Sequence, residues 1–141
     1  MTIRHLQWVD CQPMRNWLTT LNPDAPMSFA WDTCPEPGWL LKWYRRSTVL
    51  DQRYVRLMHD FAARSLVEYQ RTGRKVDSHS RDALREVRRW LQEQTMQEDT
   101  QAAYDIVHTN AAIATVDPCT TAEKSWQLRR LRALLMCPEM Y

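Results

Sequence analysis

The segment FAWDTCPEPGWLLKWYRR, residues 29–46, sets Cys34 among three tryptophans and two prolines, directly ahead of a helix-like run. A cysteine just before a helix N-terminus can be activated, because free N–H groups and aligned peptide dipoles favour the thiolate. A nucleophile also needs a base within hydrogen-bond reach. Of the four histidines, His59 and His108 lie in long helical stretches and are the candidates. The competing reading makes Cys34 a small thiol in a structural corner built from Trp31, Cys34, Pro35, Trp39 and Trp43.

Local physics favours the corner. Proline is tolerated in the first helical turn, where the N–H groups have no intrahelical partner. Pro35 and Pro37 can therefore both open a helix running to about residue 47. Glu36 would then sit at the positive end of its dipole. Trp39 and Trp43 are four apart and share a face with Leu40, so both are expected to pack beside Trp31. Each fully buried large side chain contributes roughly 1.5–3 kcal/mol.

Other chemistries find little support. Cys11, Cys34, Cys119 and Cys137 show no zinc-type pairing, which leaves only a site assembled from distant helices. No paired-histidine motif occurs, and Glu93, Glu98, Asp99 and Asp105 are spaced like a solvated helix face. Gly38 and Gly73 are the only glycines, so a glycine-rich phosphate loop is excluded. The expectation is a non-enzyme with no catalytic residue, metal or cofactor.

Arginine is the remaining signal: 16 of the 19 basic residues are Arg. Its planar fork suits bidentate pairing with carboxylate or phosphate and stacking on aromatics. One cluster is Arg81, Arg85, Arg88 and Arg89, next to Trp90. A second is Arg129, Arg130 and Arg132, and a third Lys42, Arg45 and Arg46. Three uses stay open: salt bridges between helices, a protein-binding face, or nucleic-acid binding. The candidate partner-binding residues are Arg45, Arg46, Arg85, Arg88, Arg89, Arg129 and Arg130. Charge is segregated, with a local +7 over residues 42–91 and −5 over 92–117. Either a basic and an acidic helix lie side by side and neutralise each other, or a basic functional face exists.

Helical periodicity runs nearly throughout. A first helix spans residues 10–21, NPDAP breaks it, and residues 27–34 form a brief second one. After the corner comes the longest element, from about 50 to 72. It is capped by Thr48 with Asp51, stopped at Gly73, and carries Tyr54, Met58, Phe61, Ala62, Leu66 and Tyr69 as its apolar stripe. The next helix carries Leu84, Val87 and Leu91. A further one starts at a Thr95/Glu98 capping box and presents Ala103, Ile106, Val107, Asn110, Ile113 and Ala114. Asp117-Pro118 and Thr120/Glu123 offer competing starts for the last helix, which runs to about 136. Six or seven helices with short turns, 44% apolar residues and two glycines predict an all-α single-domain bundle over residues 1–141. No apolar run of membrane-spanning length or signal-peptide type occurs, and four cysteines without such a signal fit reduced thiols in the cytoplasm.

WDTCPEPGWLLKWYRR, then LDQRYVRLMHDFAARSL, then HSRDALREVRRWL resembles a group of small helical immunity-type proteins of bacteria and their phages. Their shared order is a Trp-Asp/Glu-Thr-Cys-Pro corner, a Trp-Leu-Leu-x-Trp helix, a long helix, and one opening Ser-Arg-x-Ala-Leu. The resemblance covers roughly residues 10–135 and is specific over 31–43. It implies a stand-alone helical inhibitor that binds another protein, either a toxin or, for a phage, a host defence component. An arginine-based nucleic-acid binder is the alternative.

Overall fold

The computed structural model describes residues 1–47, 51–93, 98–116 and 120–138. They form an all-α bundle, as the periodicity predicts. Its elements are an N-terminal 3-10 helix (Ile3–Trp8), α1 (Gln12–Leu18), α2 (Met27–Thr33), α3 (Pro37–Ser47), α4 (Gln52–Arg71), α5 (Ser78–Glu93), α6 (Glu98–Val116) and α7 (Thr121–Leu134). Among the described residues there is no strand beyond one antiparallel bridge, Thr2 to Pro26.

Several boundaries follow from side chains that satisfy helix-end N–H groups. Asp51 accepts from the Tyr54 N–H at 3.0 Å and starts α4; its proposed partner Thr48 lies outside the described residues. Gly73 takes φ 83°, the left-handed conformation that ends a helix without a Cβ penalty. Asp77 accepts from the His79 N–H at 3.0 Å, and α5 begins at Ser78. Thr120 accepts from the Glu123 N–H at 3.0 Å and starts α7. The Thr95/Glu98 box and the Asp117-Pro118 start fall outside the described residues or their described side chains.

The 3-10 helix is the element the periodicity does not announce. Backbone bonds from Ile3 N–H to Ala25 O and from Arg4 N–H to Pro23 O tie it to the segment before α2. Ile3, Leu6 and Val9 thereby reach the core.

Helices α4, α5 and α6 pack pairwise against one another. Helix α7 lies on α4 and α3, α3 also meets α6, and α2 meets the 3-10 helix. The α4 face buries Tyr54, Val55, Leu57, Met58, Phe61 and Ala62, making it the spine of the core. On α6 the buried row is Ala103, Val107, Ala111 and Thr115, each four residues after the last. Ile106 and Ile113, expected inside, are exposed. Helix α6 carries apolar residues all round, more than one inward stripe can take.

Candidate functional site

The tryptophan corner is closed from the far end of the chain. Trp31 meets Trp43 edge-on, with centroids 5.2 Å apart and planes at 79°, a geometry worth about 0.5–1.5 kcal/mol beyond area burial. Arg132, on α7, donates to Trp31 O at 3.2 and 3.0 Å and to Cys34 O at 2.8 Å. It thus satisfies carbonyls at the C-terminal end of α2, which have no intrahelical N–H. Lys124, also on α7, pairs with Glu36. Pro37 opens α3 and is buried, while Pro35 stays outside the helix and exposed. Trp39 differs from expectation: it leaves Trp31 and packs on Trp17 of α1, 6.1 Å away. Four-residue spacing gives Trp39 and Trp43 a common side of α3, but α1 and α2 each supply one partner.

Cys34 is 1% exposed, and its Sγ–H points to Glu36 O at 3.5 Å. Burial pushes the thiol up to about 11, against the lowering effect of that hydrogen bond and of Arg132. A protonated, enclosed thiol bonded to a carbonyl is a packed core group and not an attacking one.

Both candidate base histidines are engaged elsewhere. His59 Nδ1 lies 3.4 Å from Asp60 Oδ1. Burial acts most strongly on Asp60 and pushes its pKa up. Hydrogen bonds from His59 and Arg130, with their charges, together outweigh it and hold the carboxyl below 3.8. His108 Nε2 and the Tyr54 hydroxyl are hydrogen-bonded at 3.3 Å, and Tyr54 stacks on Tyr44 with ring planes within 3°. Burial and then the Arg45 charge hold His108 low, with Asp105 opposing. Burial also raises Tyr54, and lifts Tyr104 to about 12. The cluster is a packed seam among α3, α4 and α6. Among the described residues no three metal-type ligands converge.

The three arginine clusters separate by use. Arg130 donates to Asp60 Oδ2 at 2.9 and 2.7 Å, joining α7 to α4, and Arg132 holds the corner. Arg46 lies over the Trp8 ring at 4.7 Å, and Arg89 bonds to Glu86 and Glu93 of its own helix. These four face their own chain. Lys42, Arg45, Arg81, Arg88 and Arg129 are exposed, with no carboxylate partner among the described residues. Arg85 is 81% exposed and only 3.8 Å from Asp82. Arg81, Arg85 and Arg88 recur every three or four residues, so they form one row along α5. Trp90, next to this cluster in sequence, is half-buried against the core. The basic α5 and acidic α6 are packed neighbours, yet no ion pair joins their described residues.

Sequence reasoning missed the acids that engage the arginines, Asp60 and Glu123, and the exposed apolar positions on α6. Glu123 accepts from Arg64 Nε at 2.6 Å, while the Arg64 guanidinium also covers the Trp126 ring. The surplus of apolar residues on α6 was the available signal for Ile106 and Ile113. No helix of the described residues is long and apolar enough to cross a membrane.

Comparison of the chain with family models, with curated proteins and with solved structures finds no match.

Proposed function

We propose that the chain is a non-enzymatic protein-binding module that acts as an inhibitor or immunity factor, covering the working surface of a toxin or a defence component. The observation that carries it is the α5 row of Arg81, Arg85 and Arg88, left without strong internal partners while Arg46, Arg89, Arg130 and Arg132 are engaged in the fold. Arginine's planar fork loses less freedom per hydrogen bond to a carboxylate than a lysine ammonium does, and Arg is enriched at binding hot spots. The resemblance of the corner and the following helices to immunity-type proteins points the same way. Asp82 and Glu86 stand between the arginines on α5, which opposes a continuous phosphate track and ranks nucleic acid second.

The test is affinity capture from nuclease-treated bacterial lysate with the parent chain and with R85E/R88E. A protein retained stoichiometrically by the parent and lost with the variant is the expected result. Equal capture by both, or retention only of nuclease-sensitive material, overturns the reading.

A further inference from the structure

We propose that the groove between the end of α4, the start of α5 and the last turns of α6 receives an apolar side chain from an acidic segment of a partner protein. This rests on the protein-binding reading above and supplies what the arginine row lacks. Charged rim contacts steer and select, but affinity comes from a buried anchor. With Trp90 turned to the core, α5 itself offers no such anchor point.

The groove has a volume of about 320 Å³; its apolar lining is Leu66, Tyr69, Val76 and Ile113, and the rest of its lining is polar. Ile113 is 64% and Tyr69 42% exposed, so two large apolar side chains from different helices border one concave space. The Asn110 side chain donates to Ser80 Oγ at 3.2 Å, which pairs two of the polar groups there, beside the exposed apolar surface of Tyr69 and Ile113.

The surroundings select for negative charge. The Arg74 guanidinium lies over Tyr69 at 5.3 Å, and neither it nor Lys75 meets a carboxylate among the described residues. Asp77, the one acid lining the groove, is bonded to the His79 N–H at 3.0 Å as the α5 cap. The N-terminus of α5 adds the positive end of its dipole. Ser80 lines the groove, and Arg81, the first of the cationic row, follows it in sequence on another side of the same turn of α5. The fitting occupant is an amphipathic segment with one aliphatic or aromatic residue flanked by Asp and Glu. A nucleobase fits less well, because the Tyr69 ring already carries Arg74 and the rest of the apolar lining is aliphatic, not a stacking platform.

The experiment selects random displayed peptides on the full chain, then measures the recovered peptides by fluorescence polarisation against the parent, I113D, Y69S and R85E/R88E. Recovered peptides are expected to share a large apolar residue beside acids. They should bind I113D and Y69S about tenfold or more weakly, the loss of one anchor's burial. Both substituted positions are exposed, so the melting temperatures stay near the parent's. Recovery of basic peptides, or of none sensitive to either groove substitution, overturns the proposal. Loss with R85E/R88E but not with I113D or Y69S leaves the arginine face standing and removes the groove. The reverse pattern keeps the groove and removes the arginine face. A concentration-dependent dimer in sedimentation that I113D dissolves assigns the surface to a second copy and also overturns the proposal.

Discussion

Replacing Arg132 with methionine keeps the aliphatic stem and deletes the guanidinium that bridges Trp31 O and Cys34 O. Hydrogen bonds to charged groups contribute about 1.5–3 kcal/mol each. Here three bonds share two acceptors, and the side chain is half-exposed, which screens its charge. A total loss of about 2–3 kcal/mol follows, including the cost of leaving helix-end carbonyls unsatisfied. For a chain of this length that corresponds to a fall in melting temperature of about 6–12 °C. R132K recovers less than half, since one ammonium cannot present the fork that spans two carbonyls. Urea unfolding measures the loss, and alkylation of Cys34 at pH 8, read by peptide mass, reports whether the corner opens first. The expected result is destabilisation with faster Cys34 labelling than in R85A, the surface control. An unfolding free energy within about 0.5 kcal/mol of the parent, with Cys34 equally protected, would refute a structural role for the α7 arginine.

In the native parent, Cys34 should resist iodoacetamide while the half-buried Cys11 and Cys137 react; rapid Cys34 labelling contradicts the enclosed thiol. His108 titrates lower folded than at its ordinary 6.5, so its contribution to stability is present above that value and is lost as pH falls through the folded pKa. H108Q should flatten the dependence of unfolding free energy on pH between about 7 and 5, and an unchanged slope contradicts the assignment. Leu131→Ala, at a fully buried α7 position, should cost about 2–5 kcal/mol in urea unfolding, against a near-neutral R129A.

Much of the fold was legible because helix ends and stripes are local. Asp51, Gly73 and Thr120 act within three residues of the backbone they control, and their side-chain chemistry states the role. The arginines show where legibility stops. For Arg130 and Arg132 the sequence leaves open salt bridges between helices, protein binding and nucleic-acid binding, because their acceptors lie 70 and 101 residues away, beyond any local pattern. Trp39 gives the same lesson on a smaller scale. Its spacing fixes its side of α3, but choosing between Trp17 and Trp31 needs the packing of α1 and α2. The groove was masked for another reason. Tyr69 and Ile113 fit apolar stripes; the surplus of apolar residues on α6 signals that some lie outside, and the buried register Ala103, Val107, Ala111 shows that Ile113 is one of them.

The clasp that α7 places on the corner sets an order of events during synthesis. Cys34 leaves the ribosome 98 residues before Arg132, an interval of about 5–20 s at ordinary elongation rates. Until then the indole pair and the Cys34 thiol lack their guanidinium latch, so the nascent N-terminal third stays in an unfinished state that a chaperone or a thiol reagent can still enter.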